Sequence, residues 1–213
     1  MRVRLERNVL KKIAYLLAVV LVPVVLSAQN PESAVGGGAS MWAGAGFSTF
    51  NPDYACPSSS PFRCDTQLLG PTVWYDFNLH PKWGIEGEAR WMNWHGYGSQ
   101  EESNYLGGGR YRIWRHGHFD GWAKGLIGGG WITTPYYPRA GSLKGSYFAI
   151  VPGGTAEYRL THRISLRGDY EYEFWPSFAG PPTYNAQGQL VEHNSGLTPN
   201  GFTVGVMYRF LGH

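Results

Sequence analysis

Alternating apolar and polar positions dominate the last strand-like stretch of the chain. One face of this stretch would carry only apolar side chains, those of Phe202, Val204, Val206, Tyr208 and Phe210. The opposite face would carry Thr203, Gly205, Met207 and Arg209. An apolar face opposite a mixed, polar face is typical of a transmembrane β-strand. An amphipathic strand of a soluble β-protein shows the same alternation, so the rest of the chain has to decide between the two.

Seven further stretches with the same period precede it, each near the ~10 residues that a tilted strand needs to cross a bilayer. The predicted strands are 39–50, 67–79, 83–94, 104–114, 119–131, 146–160, 163–175 and 200–210. Long connections alternate with short ones, and the short ones lie at 80–82, 115–118 and 161–162. Short periplasmic turns and long outer loops are typical of bacterial membrane barrels. The pattern therefore predicts an all-β fold, an eight-stranded antiparallel up-and-down transmembrane β-barrel.

The sixth predicted strand changes the phase of its alternation in the middle. Its apolar residues occupy odd positions as far as Val151 and even positions from Ala156 onwards, with Pro152-Gly153-Gly154 between them. If apolar residues face lipid throughout, a one-residue β-bulge at these three residues is required. The alternative is a strand that begins only near Gly154.

The N-terminal segment has the pattern of an export signal. Five basic residues lie within 1–12, an uninterrupted apolar run fills 13–26, and Ser27-Ala28 supply the small residues of a cleavage site. We therefore expect a signal peptide over 1–28 and a β-barrel domain over 29–213. An uncleaved anchor is the alternative, but the apolar run of 14 residues is short against the roughly 20 that a spanning helix needs.

Removal of residues 1–28 changes the sign of the net charge. The full chain has 18 basic and 15 acidic side chains, and residues 1–28 contain five of the basic ones and one of the acidic ones. The remaining 13 basic and 14 acidic side chains give a net charge of −1. The basic character of the precursor is therefore no reason to expect nucleic-acid binding.

The inward faces of the predicted strands contain acids and bases in nearly equal numbers. We expect the following charged residues to point into the barrel and pair there: Asp76, Glu86, Glu88, Arg90, Arg110, Arg112, Asp120, Lys124, Glu157, Arg159, Arg167, Asp169, Glu171, Glu173 and Arg209. An eight-stranded barrel is only wide enough to be filled by side chains or to hold one small ligand. A lining of mixed sign favours a lumen closed by ion pairs, whereas a lining of one sign favours a selective pore. A catalytic carboxylate site is the further alternative.

Aromatic residues concentrate near the ends of the predicted strands, where amphipathic rings favour the level of the lipid headgroups. The expected periplasmic girdle consists of Phe77, Trp83, Trp114, Phe119, Tyr208 and Phe210. The expected outer girdle consists of Phe47, Trp91, Trp94, Trp131, Phe174 and Trp175. Because long loops carry function, we expect loops 51–66 and 176–199, with the adjoining Trp175, to meet extracellular partners.

The end of the last strand resembles the C-terminal assembly signal of bacterial outer-membrane barrels. Its polar, glycine, aromatic and terminal aromatic places are filled by Thr203, Gly205, Tyr208 and Phe210. The whole exported chain is similar to the small eight-stranded barrels of the OmpA/OmpX type. This resemblance implies a monomer in the cell outer membrane, inserted by the barrel-assembly machinery and surrounded by lipid and lipopolysaccharide. It further implies a structural or adhesive role, with no shared catalytic residues and no cofactor.

Cys56 and Cys64 are the only two cysteines of the chain, and both lie in the first long loop. An exported protein meets an oxidising compartment, so a disulfide between them is expected. No metal site is expected around them, since the loop contains no histidine.

His193-Asn194-Ser195 resembles the His-x-Ser motif of the outer-membrane lipid A deacylases, in which the histidine is the base and the serine the nucleophile. That family has an acid on the final strand, whereas no Asp or Glu follows Glu192 here. His193 and Ser195 are the catalytic candidates of this motif, with a solvated loop as the alternative. The function hypotheses are a closed structural or surface-interaction barrel, a lipid A hydrolase, a small pore and a soluble lipocalin-like carrier.

Overall fold

The computed structural model describes residues 39–53, 67–93, 101–136, 141–178, 183–184, 190–191 and 196–212. Eight strands form the barrel: β1 (Ser40–Asn51), β2 (Leu68–His80), β3 (Trp83–Asn93), β4 (Glu101–His116), β5 (Phe119–Tyr136), β6 (Gly141–Arg159), β7 (Ile164–Tyr172) and β10 (Asn200–Leu211). A separate pair, β8 (Thr183–Tyr184) and β9 (Leu190–Val191), lies between β7 and β10. Among the residues that the structure describes, no helix is long and apolar enough to cross a bilayer.

The strands form one closed antiparallel sheet in the order β1-β10-β7-β6-β5-β4-β3-β2. Apart from β1 and β10, the strands that pair in this order follow one another along the chain as barrel strands. The last strand, β10, closes the sheet by pairing with β1 from Asn51 to Met41. The all-β eight-stranded antiparallel prediction is therefore confirmed. The three short turns, the start of β1 and the end of β10 lie at one end of the barrel, here named the turn end. The opposite end, from which the longer connections emerge, is named the loop end.

Side chains of the strands alternate between the outer wall and the interior. On β3, for example, Glu86, Glu88 and Arg90 are buried while Ile85 stands half exposed on the outer wall. The outer wall is apolar, and Phe47, Ile113 and Val204 each expose 60% or more of their surface. The interior receives the polar and charged residues of the same strands. The alternation of apolar and polar residues in the sequence therefore separates an apolar outer wall from a polar interior, as predicted.

The predicted bulge in the sixth strand is wrong. The ladder between β5 and β6 runs from Phe119–Tyr158 to Tyr136–Gly141 without a register shift. Odd positions of β6 face inwards on both sides of Pro152, because the apolar Ala149 and Val151 point into an apolar part of the interior. The alternative of a strand that begins near Gly154 is wrong too, since β6 begins at Gly141. The ladder between β4 and β5 does shift between Arg112 and Trp114, which leaves both Ile113 and Trp114 exposed.

Gly205 of β10 lies where the barrel closes and where a side chain has no room. A β-carbon there would lie against the Ala45 carbonyl oxygen and the indole of Trp74, which fills the lumen beside it. We expect Gly205→Val to unfold the barrel or prevent its assembly, because overpacking against backbone costs about 1–3 kcal/mol or more. Heat-modifiable electrophoretic mobility and urea unfolding measure this. Gly87→Val is the matched control, since a β-carbon at Gly87 meets nothing within 4 Å; equal behaviour of the two variants would contradict the steric argument.

Candidate functional site

Four cationic side chains are almost completely buried inside the barrel: Arg90, Arg110, Lys124 and Arg167. Their ion pairs reach seven carboxylates, those of Asp76, Glu86, Glu88, Glu157, Asp169, Glu171 and Glu173. All eleven stand at inward positions of β2 to β7 or of the residue that follows β7. They are named the central network. A buried charge that lacks a partner is strongly destabilising, so the pairing of these groups determines whether the interior is stable.

Arg167 joins three acids from different parts of the wall. Its Nη1 donates to Asp76 Oδ2 at 3.0 Å, its Nη2 to Glu86 Oε1 at 2.6 Å and its Nε to Asp169 Oδ2 at 2.8 Å. Asp76 belongs to β2 and Glu86 to β3, and neither strand is a neighbour of β7 in the sheet. The Arg167 guanidinium therefore ties opposite walls of the barrel together.

Arg110 and Lys124 extend the same network. The Arg110 guanidinium donates to Asp76 and to Glu157, and it lies 4.0 Å from the ring centre of Trp122. A planar guanidinium over an indole gains cation–π attraction in addition to its hydrogen bonds. Asp76 is thereby shared between Arg110 and Arg167, so these groups behave as one unit.

Lys124 is surrounded by carboxylates. Its Nζ lies 3.0 Å from Glu86 Oε1 and 3.0 Å from Asp169 Oδ1, and it also contacts Glu88 and Glu171. An ammonium group offers three donors that can turn towards several acceptors. Lys124 therefore links the Arg167 part of the network to the Arg90 part.

Arg90 and Glu173 form the part of the network nearest the loop end. Arg90 donates to Glu88 and Glu171, and its Nη1 donates to Glu173 Oε1 at 2.7 Å. Glu173 also accepts from Asn104 Nδ2, at 2.8 Å for Oε1, and from Trp175 Nε1, at 2.7 Å for Oε2. The Glu173 carboxylate is thus the point at which the charged interior meets the apolar cluster above it.

An apolar cluster covers the central network at the loop end. Its buried members are Leu106, Leu126, Ile132, Ala149, Val151, Trp175 and Leu197, and it is named the apolar cap. The backbone of Trp175 exchanges hydrogen bonds of 2.9 and 3.3 Å with that of Leu197. Tyr147 and Phe178 pack against the cap, with their ring centres 5.0 Å apart.

The prediction that Trp175 belongs to the outer aromatic girdle and to an exposed contact surface is wrong. Trp175 is 1% exposed and lies inside the barrel mouth, whereas its neighbour Phe174 is 43% exposed on the outer wall. The reason is the strand period itself. Inward positions of β7 are odd-numbered, and this alternation continues past Tyr172 through Glu173 to Trp175.

A smaller charged group lies at the turn end. Asp120 accepts from Arg115 Nε at 2.5 Å, and Arg112 and Arg159 approach the same carboxylate at 3.8 and 3.6 Å. The Arg209 guanidinium lies 5.3 Å from the ring of Trp42. Of the residues predicted to line the lumen, these four are separate from the central network: Arg112, Asp120, Arg159 and Arg209. Charge is therefore distributed unevenly, with more acids than bases in the centre and more bases than acids at the turn end.

Several interior residues were not predicted from the sequence. Ser48 Oγ lies 2.6 Å from Thr203 Oγ1 and also contacts Thr72, which joins β10, β1 and β2 where the barrel closes. Glu102 is fully buried as well, but it lies outside the predicted bounds of its strand. Position along each strand, rather than polarity, would have identified Ser48, Glu102 and the inward rings of Phe50 and Trp74.

Some predicted sites lie outside the described residues. These are the signal peptide 1–28, the cysteines Cys56 and Cys64, and the catalytic candidates His193 and Ser195. Most of loops 51–66 and 176–199 lies outside them as well. Within the part of the chain that the structure describes, no three His, Cys, Asp or Glu side chains are grouped as metal ligands would be.

A closed barrel with an apolar outer wall and a charged interior is the inverse of a soluble protein, and it defines a transmembrane β-barrel. Residues 14–210 match the family model of the outer membrane protein beta-barrel domain. The chain therefore belongs to this family, and the protein resides in the outer membrane.

Solved structures share the fold. Neisserial surface protein A is 7% identical over 81% of this chain and 97% of its own, with a TM-score of 0.56. The outer membrane protein OprG from Pseudomonas aeruginosa is 13% identical over 81% of this chain and 96% of its own, with a TM-score of 0.50. At such identities the likeness concerns the fold alone. A comparison with curated protein sequences found no match.

Proposed function

We propose that this protein is a closed outer-membrane barrel with a structural or surface-interaction role, and that it neither conducts ions nor catalyses a reaction. The observation that carries the proposal is the central network, in which four buried cations bridge carboxylates on opposite walls. The apolar cap above it supports the same conclusion, because Trp175 and Leu197 occupy the barrel mouth. A lumen filled in this way leaves the outer surface and the loops as the parts that meet partners.

The contacts proposed for the protein follow from this division. Loops 51–66 and 176–199 would meet extracellular partners, and a disulfide between Cys56 and Cys64 would brace the first of them. The outer wall would contact membrane lipid and lipopolysaccharide. The end of the last strand, with Thr203, Gly205, Tyr208 and Phe210, would be recognised by the barrel-assembly machinery after export through the signal peptide 1–28. We expect a monomer, with no cofactor and no nucleic-acid partner.

Planar-bilayer recordings test the closed lumen. We expect the purified protein to add no steady conductance, because ions would have to displace the paired side chains of the central network. A general porin reconstituted in the same bilayer controls for successful insertion. A steady open conductance in the wild-type protein would overturn the proposal and favour a small pore.

Mass spectra of lipid A test the absence of catalysis. We expect cells that express the wild-type protein and cells that express Ser195→Ala to contain the same lipid A species, because no acid follows Glu192 to orient His193. Cells without the protein provide the baseline. Loss of an acyl chain that depends on both Ser195 and His193 would establish the hydrolase instead.

A further inference from the structure

A shallow groove runs across the outer wall at the turn end of the barrel, over β3, β4 and β5. Its volume is about 380 Å³, and its lining includes Trp83, Gly109, Tyr111, Ala123 and Gly125. The cross-strand register explains its shape. Gly109 pairs with Gly125, so the floor has no side chains there, while the next outward level holds the pairs of Tyr111 with Ala123 and with Trp83.

The floor of the groove is open rather than filled by neighbours. A β-carbon placed at Gly109 or at Gly125 meets no atom within 4 Å. The rings of Trp83 and Tyr111 are 48% and 52% exposed and border this open floor on the side nearer the turns. Exposed Trp and Tyr rings favour the headgroup level of a bilayer. The groove therefore begins at the interface and extends towards the apolar interior of the membrane.

Basic residues surround the turn end below the groove. Lys82, Arg115, Arg159 and Arg163 lie in the three turns or within two residues of them, and the only acid in these segments is the buried Asp120. Arg110 and Lys124 also belong to the lining, but their side chains are buried in the lumen. Lys82 is the exposed cation beside the groove, because it directly precedes Trp83 and its carbonyl oxygen accepts from the Arg112 amide at 2.7 Å. Its side chain is exposed. An apolar groove with a cation at its interfacial end matches an acyl chain joined to an anionic headgroup.

We propose that this groove binds an anionic phospholipid, with an acyl chain against Gly109 and Gly125 and the headgroup phosphate beside Lys82. Short turns of membrane barrels face the periplasm, so the lipid belongs to the periplasmic leaflet. Basic side chains near a bilayer surface attract anionic lipids. The proposal depends on the outer-membrane location and is independent of whether the lumen conducts.

The test is native mass spectrometry of the protein released from nanodiscs that contain phosphatidylglycerol and phosphatidylcholine in equal amounts. We expect the wild-type protein to retain phosphatidylglycerol preferentially. Lys82→Gln should reduce the retained phosphatidylglycerol about fivefold, the effect of losing one interfacial cation. Arg163→Gln removes the same charge from a different turn and should leave retention unchanged.

A second pair of variants examines the groove itself. Gly109→Leu with Gly125→Leu fills the floor and should reduce retention by a similar factor, whereas Gly168→Leu on another part of the outer wall should not. Heat-modifiable mobility confirms that each variant is folded. Equal retention of both lipids, or equal effects of Lys82→Gln and Arg163→Gln, would overturn the proposal. A dimer that disappears when the floor is filled would also overturn it, because the groove would then be an interface between two copies.

Discussion

Replacement of Arg167 with methionine is expected to lower the free energy of unfolding of the barrel by about 3–5 kcal/mol. Methionine retains an unbranched side chain that can fill much of the space, but it removes the hydrogen bonds to Asp76, Glu86 and Asp169. Three buried carboxylates would then share the remaining cations, and uncompensated buried charge is the costly element of a broken ion pair. Urea unfolding of the protein in lipid vesicles, followed by tryptophan fluorescence, measures the change.

Arg163→Met provides the matched control for this substitution. Arg163 is exposed at the turn end and donates to the Tyr208 hydroxyl at 3.3 Å, so its loss should cost less than about 1 kcal/mol. Adding Asp76→Asn to Arg167→Met should restore part of the stability, because it removes one of the carboxylates left in excess. Unfolding of Arg167→Met at the wild-type urea concentration would show that the central network contributes nothing and would remove the main support for a closed lumen.

The strands were predictable because the bilayer imposes one simple rule on the outer wall. Each strand must present apolar residues to lipid at alternate positions. Phe202, Val204 and Val206 are an example, since all three are apolar and exposed on the outer wall. The rule determines strand number, order and facing, and an up-and-down connection then fixes the sheet topology. It does not fix where a strand ends beyond the membrane, so the loop-end extensions of β4, β5 and β6 went beyond their predicted bounds.

The converse rule, that inward residues are polar, fails near the loop end. Ala149 and Val151 are apolar and face inwards, so the sequence pattern predicts a bulge where the ladder is regular. The partners of the interior charges could not be predicted from the sequence for another reason. Arg167 and Asp76 are 91 residues apart, and their contact depends on which strands stand opposite each other across the lumen. The inward positions could be identified from the strand period, but their individual partners could not.

Replacement of Trp175 with alanine is expected to be nearly as damaging as Arg167→Met, with a loss of about 3–5 kcal/mol in the free energy of unfolding. The indole is buried among Leu106, Leu126 and other members of the apolar cap, and its Nε1 donates to Glu173. Removing it leaves a cavity and takes one hydrogen bond from a buried carboxylate. Urea unfolding in vesicles measures the loss of stability.

Phe174→Ala separates this effect from that of a girdle aromatic, because Phe174 is the adjacent residue and stands half exposed on the outer wall. Its loss should destabilise the barrel clearly less than the loss of Trp175. Bilayer recordings on Trp175→Ala should still show no steady conductance, since the central network lies beneath the cap and retains all four of its cations. Equal destabilisation by the two variants would contradict the buried, stabilising role of Trp175 and favour its predicted assignment to the outer girdle. Conductance in Trp175→Ala alone would mean that the cap, rather than the ion pairs, closes the lumen.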